Sequence, residues 1–220
     1  MNGLHKLLLL TFILKFAAHG SDIIHGEKAS ENSLLYMASV NSSTHYIRAL
    51  YWVMTSCFLK QNVTRKHIIP IFQQLLGNSS DLYNEIWHSQ LNNRVKTIQF
   101  ATSETNENAN CYVAGWGKTK TGGHVVNELR VVKVSIIDQQ VCQDRWDKIR
   151  LPANVICAGG YGTKAGFCQG DSGGPLVCNG MAVGVVSFNK GRNCTYPNVP
   201  NVYTDISKHA SWINSMIKTF

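Results

Sequence analysis

Ser172 lies at the centre of a run from Gly166 to Cys178, flanked by Gly170, Gly173 and Gly174. A serine hydroxyl becomes a useful nucleophile when a base takes its proton and nearby donors stabilise the oxyanion that forms. Glycines without a Cβ let the backbone turn tightly and aim N–H groups at a substrate carbonyl. Cys168 and Cys178 bracket the run, and each can tie it to a distant part of the chain. The run also fits G-x-S-x-G, which in an α/β-hydrolase leads from a strand into a helix. Here Pro175–Cys178 is followed by Asn179-Gly180 and then the β-rich run Met181–Phe188. Asn-Gly between two such runs predicts a hairpin and an all-β scaffold.

The surroundings supply the rest of the pattern. Gly170-Asp171-Ser172-Gly173-Gly174-Pro175 resembles the nucleophile motif of the chymotrypsin/trypsin serine proteases. Three other segments agree in order: Ile23–Gly26 with the mature N-terminus, Cys111–Gly117 with the strand opening the second barrel, and Pro200–Thr204 with the strand before the C-terminal helix. Within the family the chain is most similar to granule proteases, the granzymes and mast-cell proteases. The resemblance implies an all-β, chymotrypsin-like double β-barrel with a C-terminal helix. It also implies a peptide-hydrolysing nucleophile, Ser172, with the Gly170 and Ser172 N–H groups as the oxyanion hole. Disulfides are implied between Cys111 and Cys178, Cys142 and Cys157, and Cys168 and Cys194. Cys57 is then the odd cysteine, able to cross-link two chains of an otherwise monomeric protein or to stay buried.

The resemblance breaks where the base should be. The family carries a histidine just before a cysteine in a Thr-Ala-Ala-His-Cys motif; this chain reads Trp52-Val-Met-Thr-Ser-Cys57-Phe58. That histidine takes the serine proton and later protonates the leaving amine. Six histidines follow residue 22: His25, His45, His67, His88, His124 and His209, none in a matching motif. Asp81 matches the third triad member by position, but the polar stretch Tyr83–Gln90 follows where a buried strand is expected; a turn or helix cap is the plainer role for it. Only 89 residues run from Ile23 to Cys111, short for a full first barrel and its link. The expected layout is a degenerate first barrel over 23–110 and an intact second barrel over 111–220.

Residues 1–20 read as a secretory signal: Lys6, a short apolar run to Leu14, then small residues before the cut. The apolar run is too short to span a bilayer. Ser21-Asp22 then forms an activation dipeptide, and the resemblance implies that a freed Ile23 amine pairs with Asp171 and orders the oxyanion loop. The 220-residue chain carries +8; losing residues 1–22 removes Lys6, Lys15 and Asp22 and leaves +7. That charge suits granule storage on sulfated proteoglycan or simple solubility. It is scattered, with no aromatic-interleaved stripe, which argues against nucleic acid. Four sequons, at Asn41, Asn62, Asn78 and Asn193, fit secretion.

The same resemblance places Gly166 at the floor of the primary specificity pocket and Asn189 and Asn201 on its walls. Glycine supplies no charge for a Lys or Arg side chain, so the expected pocket is narrow and polar. Ser33–Val40, Val131–Ile137 and Val155–Gly159 read as strands, Asp138–Trp146 as a short helix, and Ser207–Phe220 as a helix with an apolar stripe through Trp212, Ile213, Met216, Ile217 and Phe220. No metal or nucleotide site has the required ligand spacing or phosphate loop. Three readings stay open: an impaired protease-family protein acting on a protein or peptide, an active endopeptidase with a repositioned histidine, and a non-catalytic binding protein or decoy.

Overall fold

The computed structural model describes residues 23–37, 96–107 and 109–218, with side chains as far as Ser215. Among them nine strands form one curled sheet: β1 (Glu27–Lys28), β2 (Gln99–Phe100), β3 (Cys111–Gly115), β4 (Arg130–Val134), β5 (Ile136–Ile137), β6 (Val155–Ala158), β7 (Pro175–Cys178), β8 (Met181–Phe188) and β9 (Asn201–Asp205). Helix α1 spans Gln139–Trp146 and α2 spans Ala210–Lys218. The hydrogen-bonded path runs β1-β4-β3-β7-β8-β9-β6-β5, and β2 adds to β8 in parallel. Because β4 and β5 are halves of one strand bent at Ser135, the last strand of the path continues from its second, and the sheet curls back on itself. Curling of this kind leaves only short strands, β1, β2 and β5, at the edges.

Period-two alternation builds the core on both sides of the sheet. In β6, Ile156 and Ala158 face the interior with Val113, Phe167, Leu176, Val186 and Tyr203, while Val155 and Cys157 face α1 with Cys142 and Trp146. In β7, Leu176 points inward and Val177 outward to Ile206 and Ile213 beneath α2. The hairpin forms where expected: Asn179 and Gly180 take φ of 50° and 80° between β7 and β8. Two positive φ values in a two-residue loop suit Asn-Gly and match the strand twist. Helix α1 starts at Asp138, whose Oδ1 accepts the Val141 N–H at 2.9 Å.

Two expectations change. The predicted strand over Val131–Ile137 is interrupted at Ser135, whose carbonyl accepts the Gly159 N–H at 3.0 Å outside the ladder. The predicted strand Ser33–Val40 is turn in its described part, with the Met37 N–H bonded back to the Leu34 carbonyl at 2.9 Å. Tyr36 instead packs onto the Val177, Ala182 and Ile213 cluster, so the segment buries its apolar surface without joining the sheet. Residues 38–95, with the strand expected near Trp52 and the degenerate first barrel expected over 23–110, lie largely outside the described residues. Among the described residues no helix is long and apolar enough to cross a membrane.

Candidate active site

Ser172 occupies the tight turn that enters β7. Gly170 has φ of 99° and Gly173 of 80°, a region that side-chain-bearing residues rarely adopt. Space enforces the first glycine as well: a Cβ on Gly170 would sit 2.9 Å from both the Gly117 Cα and the Val125 Cγ1. The Gly173 N–H donates to the Val186 carbonyl at 2.9 Å, and the Gly174 N–H to the Asp171 carbonyl at 2.9 Å. The turn is thereby pinned to β8. Neither the Gly170 nor the Ser172 N–H has an acceptor among the described residues, and no base bonds Ser172 Oγ there.

Asp171 is buried directly beside the half-buried Ser172. Its Oδ1 accepts the Gly117 N–H at 2.7 Å and its Oδ2 the Cys168 N–H at 2.9 Å. Such charge-assisted bonds offset the loss of water around a carboxylate. The slot exists because residues 115 and 117 are glycine: a Cβ at Gly115 would lie 2.1 Å from Oδ1, and one at Gly117 would lie 2.4 Å from Cγ. Ile23 is fully buried. The Ile24 carbonyl accepts the Gly166 N–H at 3.3 Å, and its side chain packs on Cys168, Cys194 and Tyr196. The amino-terminal segment is thus docked beside the nucleophile turn.

The three positions assigned to the specificity pocket converge on one tyrosine. Tyr196 donates its hydroxyl to the Phe167 carbonyl at 2.5 Å. The same oxygen accepts from Asn201 Nδ2 at 2.8 Å and from Asn189 Nδ2 at 3.2 Å. Asn201 is fully buried, and its Oδ1 takes the Phe167 N–H at 3.1 Å. Asn189 is held at its other end by Gln169 Nε2 at 3.3 Å. Burial pushes the Tyr196 and Tyr203 hydroxyls above the ordinary tyrosine range. A cavity of about 260 Å³ remains open on this side, lined by Lys190, Asn193, Thr195, Tyr196, Asn198 and Val199.

Helix α1 reaches the neighbours of both Asn201 and Asn189 through Trp146. Its indole N–H donates to the Pro200 carbonyl at 3.1 Å, one residue before Asn201. Its ring meets Phe188 edge to face at 5.3 Å, one residue before Asn189. The three disulfides join Cys111 to Cys178, Cys142 to Cys157 and Cys168 to Cys194. The first ties the β3–β7 pair, the second fixes α1 to β6, and the third anchors the loop carrying Tyr196 to the nucleophile run.

The family model Trypsin matches residues 80–213. The chain belongs to the trypsin family. It is similar to human serine protease 1, at 29% identity over 97% of this chain and 98% of that one. It is 30% identical to trypsin-3 of Salmo salar over 94% of this chain and the whole of the relative. Among solved structures it is similar to neuropsin, a serine protease expressed in the limbic system of mouse brain. That match has a TM-score of 0.54 and 34% identity, covering 59% of this chain and 57% of neuropsin. The relatives named are trypsins and a neuropsin, so family membership stands at the level of trypsin-like proteases.

Of the residues singled out from the sequence, Ser172, Gly170, Asp171, Gly166, Asn189, Asn201, Ile23 and the six disulfide cysteines all lie in the described body. Asp81, Cys57, His45, His67 and His88 lie outside it. His25 and His124 are exposed, and His209 exchanges a hydrogen bond with Asn154 Nδ2 at 3.1 Å. Tyr196, Gln169 and Trp146 were missed as site residues. The available signal was their place: Tyr196 stands two residues past Cys194, and Gln169 directly follows Cys168. Among the described residues no group of three or more His, Cys, Asp or Glu side chains could hold a metal ion.

Proposed function

We propose that this chain is a secreted trypsin-family protein that binds protein or peptide segments over Ser172 and hydrolyses them very slowly. The observation that carries this reading is the nucleophile turn itself. What supports it is Ser172 in a glycine turn beside the buried, hydrogen-bonded Asp171, with the Gly170 and Ser172 amides lacking an acceptor among the described residues, while Thr55-Ser56-Cys57 holds no histidine where the family has its base. The family match opens only at residue 80, consistent with a degenerate segment over 23–110 ahead of an intact barrel over 111–220. Asp81 is the aspartate that would stand behind a base if one were supplied.

Activation follows the same reading. Cleavage after Asp22 frees the Ile23 amine, and Asp171 is the buried carboxylate it meets. Ile23 has φ of 41° in the uncut chain, unfavourable for a β-branched residue. Release of that constraint by cleavage favours the paired state. Secretion into granules on sulfated proteoglycan rests on the leader, the two-residue activation segment and the basic charge; Cys57 gives the chain a route to a disulfide-linked dimer.

The experiment is peptide hydrolysis by the chain beginning at Ile23, on a broad fluorogenic peptide library. Ser172→Ala and alanine variants of His25, His45, His67, His88, His124 and His209 serve as comparisons. Turnover about four to six powers of ten below an intact triad, indifferent to every histidine, is expected. Protease-level turnover abolished by one histidine variant would establish a repositioned base instead.

A further inference from the structure

We infer that Tyr196 fills the primary specificity pocket from within, so that the site over Ser172 admits only a residue with a small side chain, glycine or alanine, at the position next to the scissile carbonyl. The inference rests on reading Ser172 as the nucleophile and on the assignment of Gly166, Asn189 and Asn201 to the pocket. It adds the occupant.

Three facts place it. The floor contacts the ring: a Cβ on Gly166 would lie 2.8 Å from Tyr196 Cε2 and 3.2 Å from Cζ. Both walls contact the hydroxyl, through Asn201 Nδ2 and Asn189 Nδ2. The hydroxyl also donates to the Phe167 carbonyl. A phenol has one proton to give and two lone pairs to receive with, and all are in use. Tyr196 is only 9% exposed, so its ring is already desolvated as a bound substrate side chain would be. Glycine at 166 is then explained by the tyrosine and by Asn201, whose Oδ1 would stand 2.3 Å from the same Cβ. A large substrate residue would have to displace a buried ring and leave the Phe167 carbonyl and the buried Asn201 Nδ2 without their partner, which costs far more than filling a solvated pocket.

The anchoring is built into the chain. Cys194, two residues before Tyr196, is bonded to Cys168, and the Cys194 N–H donates to Thr121 Oγ1 at 2.9 Å. Both hold the loop over the pocket. Tyr203 Oη, fully buried, is the one described hydroxyl in this core with no hydrogen-bond partner.

The test uses p-cresol, the shape of a tyrosine side chain, as the probe, with thermal unfolding as the readout. The wild-type chain from Ile23 is expected to show no change in Tm with p-cresol. Tyr196→Ala is expected to unfold at a lower temperature and to recover by roughly 3–6 °C at ten times the Kd of p-cresol. A wild-type chain that binds p-cresol overturns the inference, as does a folded Tyr196→Ala chain that does not. Should Tyr196→Ala fail to fold, fluorotyrosine labelling of the wild-type protein decides. With signals assigned by Tyr196→Phe, a soluble gadolinium chelate should broaden the exposed Tyr112 and spare Tyr196; equal broadening refutes a buried plug. None of these readings passes through turnover at Ser172, so a chain with no hydrolysis at all still answers them.

Discussion

At the residue scale, the buried contact between Asp171 and Gly117 fixes the turn around Ser172. Asp171 makes the nucleophile turn rigid by accepting two backbone N–H groups. Asp171→Ala leaves both donors buried without an acceptor, a loss of about 2–5 kcal/mol from unsatisfied groups. Urea unfolding should show it as a lower midpoint with an unchanged slope; a loss below about 1 kcal/mol would mean water takes over the carboxylate's role. Gly117→Ala strikes the same contact from the other side, because its Cβ meets the carboxylate carbon at 2.4 Å. That substitution should destabilise by about 1–3 kcal/mol through overpacking, and Asp171→Ala should remove most of the penalty when the two are combined. Additive losses would place the two effects in separate parts of the fold.

At the scale of elements, α1 braces the segments that carry Asn189 and Asn201. Trp146 holds the Pro200 carbonyl and the Phe188 ring, the neighbours of Asn201 and Asn189. Trp146→Phe keeps most of the apolar area and loses the indole donor, so stability should fall by about 1–2 kcal/mol. Hydrogen exchange should speed up at Asn201 and Asn189 and stay unchanged in β3; unchanged exchange at the asparagines would contradict that bracing. How much of this the sequence discloses depends on how local the determinants are. The Asn179-Gly180 turn, the short helix ending at Trp146 and β8 follow from neighbouring residues, and the structure has them where the residues place them, with Asp138 capping the helix and not inside it. The curling of the sheet is not local. It needs the bend at Ser135, which lets one strand pair with β3 and β6, and an uninterrupted run from Val131 to Ile137 carries no sign of it. Tyr196 is hidden for the same reason. A loop tyrosine reads as exposed until Gly166, Asn189 and Asn201, separated by up to 35 positions, meet around it. Ser33–Met37 misleads by composition, since an apolar run suits a strand and a packed turn equally well.

At the scale of the whole molecule, the described body is held by one sheet, three disulfides and a set of buried tyrosines. Burial pushes the Tyr36 hydroxyl up to about 12 and raises Tyr196 and Tyr203 as well. In an unfolded chain a tyrosine loses its proton near pH 10. Above that, the unfolded chain has released protons that the folded one still holds, so stability complete below the unfolded pKa is lost as pH rises through the folded values. Urea midpoints should therefore fall between about pH 9 and pH 12, and a midpoint indifferent to pH there would argue against these tyrosines being buried. The same body presents Ser172 with its turn, its amides and its aspartate assembled, while the sequence supplies no histidine in the family's place. The rate at which a fluorophosphonate labels Ser172 in the chain beginning at Ile23 measures that imbalance without needing a substrate. A rate about four to six powers of ten below that of an intact trypsin triad, abolished by Ser172→Ala, is the expected result; labelling as fast as trypsin's would contradict the account.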